Sequence, residues 1–141
     1  MLRELFDGTC RVIPVHIEWK MLDLANDKEK NVEIIAEDSV DWKKEDDCLC
    51  VTCTRRVGFS PECNFSIVVS YAVEHILAKP HSLDTVSDDE IDSEVHEHIG
   101  YYIQENQGLM GRVSLIISQL TSAFGAPPLI LPPSYQMESD T

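Results

Sequence analysis

Hydrophobic and polar positions alternate along the first half of the chain, and the period then changes. "CRVIPVHIEWKM", Cys10 to Met21, opens the pattern: Val12 and Ile13 begin it, and Val15, Ile17 and Trp19 share one face of an extended chain. Pro14 lies inside this run. Having no N–H to give a ladder, it predicts an edge position or a bulge. The polar turn "NDKEKN" leads to "VEIIA" (Val32–Ala36), after which a charged stretch runs through Asp47. "CLCVTCTRRV" (Cys48–Val57) predicts a third strand and "FSIVVSYAVEHIL" (Phe65–Leu77) a fourth, with Gly58 and Pro61 marking the turn between them. Short links between successive strands favour an antiparallel meander.

Beyond Pro80 the period becomes helical. Ser87-x-x-Glu90 has the form of a capping box, and Ile91, Val95, Ile99 and Ile103 follow at intervals of four. "QENQG" interrupts this stripe. A second helix is expected from Leu109 to Phe124, with Met110, Val113, Ile117, Leu120 and Phe124 on one side and Ile116 widening the stripe. Gly125 suits the left-handed position that ends a helix. Strands first and helices afterwards mean an α+β fold: a four-stranded antiparallel sheet, two helices covering one face, and a C-terminal extended arm. The 141 residues form one expected domain, 1–141, with residues 136–141 a fraying tail.

Charge narrows the function classes. Twenty-five acids against eleven bases give a formal −14. Between Pro80 and Gly111 no Lys or Arg occurs, while Asp84, Asp88, Asp89, Glu90, Asp92, Glu94, Glu97 and Glu105 all do. Such a surface repels phosphate backbones and anionic lipid and attracts basic partners, so nucleic-acid binding is disfavoured. No apolar run approaches the roughly 18 residues of a membrane span, and the first residues lack a signal-peptide pattern. An odd number of cysteines, five, fits reduced thiols in a cytoplasmic protein better than a disulfide framework.

The candidate chemistry is sparse. Cys48, Cys50 and Cys53 have ligand-like spacing, but on a strand the first two point one way and the third the other, so small buried hydrophobes are the expected reading, with no metal. His96 and His98, two apart on a helix, do not share a face and read as solvated surface. No nucleophile elbow, phosphate loop or dinucleotide fingerprint occurs, and neither catalysis nor a cofactor is expected.

The arm, "FGAPPLILPPSY" (Phe124–Tyr135), clamps Leu129, Ile130 and Leu131 between proline pairs and must be extended and stiff. Leu129 and Leu131 share one face and Ile130 takes the other. Burying three such side chains is worth about 5–8 kcal/mol, so the arm is expected to dock on an apolar surface. The segment Gly108–Tyr135 resembles the C-terminal signature of the SecB family of protein-export chaperones, in which a long helix ends in Gly-x-x-Pro followed by Leu-x-Leu-x-Pro. Gly125, Pro127, Pro128, Leu129, Leu131 and Pro133 fit that pattern without a gap. Departures from the family pattern are Ser134-Tyr135-Gln136 after the last proline and "IVVSYAVEHI" in the fourth strand.

The resemblance implies a dimer of dimers, no nucleotide, and ATP-independent binding of unfolded or precursor polypeptides in apolar grooves, with delivery to the motor SecA as the family's further step. Candidate client contacts are Val32 and Ile34 on the second strand and Met110, Val113 and Ile117 on the long helix. Gly125, Pro127, Leu129, Leu131 and Pro133 form the structural arm. Two alternatives stand beside this reading. One is an oligomeric interaction module of the same fold without client binding; the other is a SecB-like chaperone dedicated to an antitoxin.

Overall fold

The computed structural model describes residues 2–21, 33–60, 65–123 and 127–136. A 3-10 turn, Leu2–Leu5, leads into β1 (Phe6–Met21), followed by β2 (Glu33–Lys44), β3 (Cys48–Ser60) and β4 (Phe65–Leu77). Helices α1 (Asp88–Glu97), α2 (Ile99–Tyr102) and α3 (Leu109–Ser122) complete the order. The α+β expectation holds. All strand pairs are antiparallel, and the sheet order is β1-β4-β3-β2.

That order corrects the simple meander: β2, β3 and β4 follow one another, but β1 pairs with β4. The physical reason is that β4 is the most apolar strand and buries nearly its whole length. It needs a neighbour on each side, which leaves the more exposed β1 and β2 as edges. Pro14 meets both of its expectations, since β1 is an edge strand and its register with β4 shifts between Pro14 and His16. Val15 falls in that shift, so Ile17 and Trp19 share a face without it.

β2 is longer than the alternation predicts. The stretch read as a charged connection continues the strand to Lys44, because Ala36, Asp38, Val40, Trp42 and Lys44 alternate on the helix side opposite Val57, Arg55, Cys53, Val51 and Leu49. Two of those five are charged, which masked the period.

The helices sit on the face carried by Leu49, Val51, Val57, Ile67, Val69 and Val73, all buried. Ser87 caps α1, its hydroxyl accepting the Glu90 N–H at 3.2 Å. Trp42 Nε1–H donates to Asp92 Oδ1 at 3.0 Å and Lys44 Nζ to the Val86 carbonyl at 2.7 Å, fixing α1 over the start of the sheet face. The four-residue stripe does not run through one helix. His98 leaves helical geometry, and a separate turn, α2, carries Tyr102. Tyr71 Oη–H donates to the Ile103 carbonyl at 2.9 Å, tying that turn to β4. Gln104 and Gly108, both at positive φ, then reverse the chain into α3, where Gly108 meets no steric cost.

α3 lays Leu109, Met110, Val113, Ile117 and Thr121 against the sheet. Truncating Ile117 to Ala is therefore expected to destabilise the fold by about 2–4 kcal/mol, while Gln119→Ala on the exposed side changes it by under about 0.5 kcal/mol. Urea unfolding of the two variants checks this, and equal losses would contradict the packing.

Candidate functional site

β3 alternation places Arg55 among apolar neighbours, on the face that the helices cover. Asp38 stands directly across from it on β2. Each has a side chain only 1 % exposed. The pair is bidentate, with Nε to Oδ1 at 2.7 Å and Nη2 to Oδ2 at 2.7 Å. The other Arg55 donors reach Ser114 Oγ (2.9 Å), the Pro132 carbonyl (2.8 Å) and the Ser134 carbonyl (2.9 Å). A guanidinium has five N–H donors, and all five find acceptors.

The arm is held through the same group. Asp38 Oδ2 also accepts the Gln136 N–H at 2.7 Å, and the Asp38 carbonyl accepts Tyr135 Oη–H at 3.2 Å. Ser114 Oγ–H donates to the Pro132 carbonyl at 2.9 Å. Further along, the Tyr135 N–H donates to Glu105 Oε1 (2.6 Å) and the Leu129 N–H to Thr121 Oγ1 (2.8 Å). Leu129 and Leu131 pack on the core while Ile130 is 74 % exposed, as the alternation predicts. Pro133 lies over Gly111, where a Cβ would stand 3.7 Å from its own. Pro127 is exposed, and Gly125 lies outside the described residues. Gln136, expected to fray, is bonded to Asp38; residues 137–141 are outside the description.

A second feature is open. At the far end of the helix-side face, β1 contributes Ile17, Trp19 and Met21, β2 Ile34, β3 Phe59 and β4 Phe65. Trp19 stacks on Phe65 with ring centroids 5.0 Å apart, and Phe59 meets Phe65 edge-on at 5.0 Å. Ile17, Met21 and Ile34 are exposed, at 52, 76 and 53 %. Val12 extends the strip along β1, and Ile13 and Val15 add to the apolar exposure of that edge. An aromatic floor edged by exposed aliphatics is the composition of an interaction surface rather than of ordinary monomer exterior. On the opposite face of the same end, Ile35, Glu37, Arg56, Gly58 and Ser66 line a shallow cleft of about 250 Å³.

The predicted client residues divide. Ile34 lies on this apolar shelf, and Val32 falls outside the described residues. Met110, Val113 and Ile117 are corrected: they are buried beneath β3 and β4, because their stripe is the face by which α3 packs on its own sheet. Ile17 and Trp19 read with Val15 as one alternating face, in a run that ends at Met21, but none is among the candidate client contacts. Arg55 and Asp38 were missed. The available signal was a lone cation in the alternation Leu49, Val51, Cys53, Arg55, Val57.

Cys48 and Cys50 point to the uncovered face and Cys53 to the helices, as the strand period predicts; Cys63 is outside the described residues. Among the described residues, Glu45, Asp47 and Cys48 stand close enough to share a cation. The Cys48 thiol, however, donates to Glu45 Oε2 at 3.2 Å, and burial and that bond push its pKa far up, so it stays protonated. Cys53 is pushed up to about 12 by burial. Cys10 Sγ lies 3.4 Å from His75 Nδ1, and His75 Nε2 lies 2.8 Å from the Tyr102 carbonyl. Burial and Asp7 raise the Cys10 pKa, and burial lowers that of His75, which is the reverse of an activated thiolate–imidazolium pair. His96 and His98 each lie beside the acid four residues earlier, at 3.5 Å; His96 and Asp92 are exposed, whereas His98 and Glu94 are half-buried.

No family model matches the chain, and no curated protein does. Among solved structures, the Mycobacterium tuberculosis Rv1957 SecB-like chaperone in complex with a ChAD peptide from the Rv1956 HigA1 antitoxin is similar in fold. The TM-score is 0.57 over 88 % of each chain, at 11 % identity. A Streptococcus agalactiae protein of unknown function covers 89 % of this chain and 99 % of its own at 13 % identity, with a TM-score of 0.34 on which nothing rests. The fold is SecB-like.

Two outcomes follow from the buried groups. Arg55→Met leaves the Asp38 carboxylate buried without its cation and is expected to lower stability by about 3–5 kcal/mol in urea unfolding. A loss below about 1 kcal/mol would show the pair to be dispensable. His75, neutral when folded, resists a proton that the unfolded chain takes up near pH 6.5. Stability is then full above that pH and declines as pH falls from 7 towards 5, and His75→Gln should flatten the slope. The Glu45 carboxyl, whose pKa is lowered by its bonds to Cys48 and Lys43, acts only below this window.

Proposed function

We propose that this chain is a SecB-like chaperone that holds unfolded or extended polypeptide on the apolar shelf formed by Ile17, Trp19, Met21, Ile34, Phe59 and Phe65. The observation that carries the reading is that shelf: an aromatic and aliphatic surface left open beside a core that is otherwise complete. A client recognised by many weak apolar contacts needs no particular sequence. The similar Rv1957 chaperone, bound to an antitoxin peptide, supports a polypeptide as the occupant. Holding requires no bond to be made or broken, so no enzymatic step, nucleotide or cofactor belongs to the proposal.

The finer parts concern partners. The edge strand β1, with Val12, Ile13, Val15 and Ile17 exposed, supports association of copies into a homo-oligomer, with a dimer of dimers as the expected state. The acid-rich stretch around α1 suits a basic partner surface, which is the support for delivery to SecA in the cytoplasm. Among the described residues no helix is long and apolar enough to cross a membrane. A client dedicated to this chaperone, such as an antitoxin, uses the same shelf.

The test is suppression of aggregation: a denatured model protein is diluted into this protein without nucleotide, and light scattering is followed. Suppression with a co-eluting complex is expected. Ile17→Glu/Ile34→Glu, two exposed positions, should remove most of it while leaving the circular dichroism spectrum intact. A wild-type protein that neither suppresses scattering nor retains the client sinks the chaperone reading in favour of a bare interaction module.

A further inference from the structure

The arm is recognised through its main chain. The Leu129, Tyr135 and Gln136 N–H groups reach Thr121, Glu105 and Asp38, and the Pro132 and Ser134 carbonyls are held by Arg55, the former also by Ser114. Carbonyls belong to every residue and N–H groups to every residue but proline, so these bonds do not read a sequence. Side-chain selection comes from two alternate half-buried positions, Leu129 and Leu131, with Ile130 left outside, and from half-buried Tyr135, whose hydroxyl donates to the Asp38 carbonyl. Main-chain bonds for affinity and alternate apolar pockets for selection are the means by which grooves bind extended peptides. The arm thus occupies a peptide groove whose floor, the Arg55–Asp38 pair, is built into the sheet.

We propose that Arg55, Asp38, Glu105, Ser114 and Thr121 form a second polypeptide-binding groove, closed in cis by the arm, and that an extended, uncharged, apolar segment of an unfolded client displaces the arm and takes its place. This rests on the polypeptide-holding reading above. The tether keeps the arm at an effective concentration of about millimolar, and its prolines pre-set the extended shape, so an isolated segment competes poorly. A client already held on the shelf is tethered too, which removes that advantage. Shelf occupancy therefore comes first and arm release second, and the groove is reached only by chains long enough to span both.

Hydrogen exchange on the wild-type protein tests this, with reduced and carboxymethylated α-lactalbumin as a permanently unfolded client. Exchange at the Leu129, Tyr135 and Gln136 amides is expected to accelerate by about tenfold or more when the client is held. Unchanged arm exchange, with the client visibly retained on gel filtration, overturns the displacement and leaves the chaperone reading standing. Unchanged exchange with no client retained overturns both. Independently, a fluorescent PPLILPPSYQ peptide should bind Leu129→Ala/Leu131→Ala about tenfold tighter than wild type, because a weakened arm leaves the groove open in more molecules. Equal affinities overturn the groove. If the double variant fails to fold, the wild-type exchange result decides alone.

Discussion

A guanidinium buried in an apolar face must be saturated or it unfolds the protein around it, and the C-terminal third is arranged by that demand. Asp38 supplies the countercharge but only two acceptors, so three donors of Arg55 remain to be placed. Ser114 on α3 takes one, and the arm carbonyls of Pro132 and Ser134 take the others. One side chain therefore fixes β2 against β3, sets the facing of α3, and dictates where the arm crosses. Well-packed hydrophobic residues would be no less stable at such a position. What the charges add is geometry, since apolar contacts alone would let the arm slide along the sheet.

Much of this was legible because period 2 and period 3.6 are strong signals where one face is buried. β4 and the core stripe of α3 followed from that alone, and the edge or bulge at Pro14 from its missing N–H. The failures share a cause. Wherever the inward face carried a charge, the signal was lost: Asp38 and Lys44 hid the second half of β2, and Arg55, inside the third strand, was not singled out. The pairing of β1 with β4 involves residues far apart in the chain, which local pattern does not encode. The client residues on α3 were misplaced because an apolar stripe does not say whether it faces its own sheet or a partner, while the shelf that is open was visible as the Ile17–Trp19 alternation.

The fold also separates two apolar duties that composition cannot distinguish. The helix layer covers the part of the sheet next to α1, where Trp42 and Lys44 fasten it. At the other end, Trp19, Phe59 and Phe65 form a cluster with three exposed aliphatic residues beside it. The protein is thus a complete core with an unfinished one attached. Cys48 and Cys53 stay out of the matter, held protonated by burial.

The latch also has a history in time. Asp38 and Gln136 are joined across 98 positions of sequence. On a ribosome, the whole sheet and α3 emerge before the residues that saturate Arg55. A nascent chain at that stage holds a paired but incompletely solvated charge, and water must stand in for the carbonyls of Pro132 and Ser134. The final tightening of this fold waits for the arm, whose two carbonyls take over from that water.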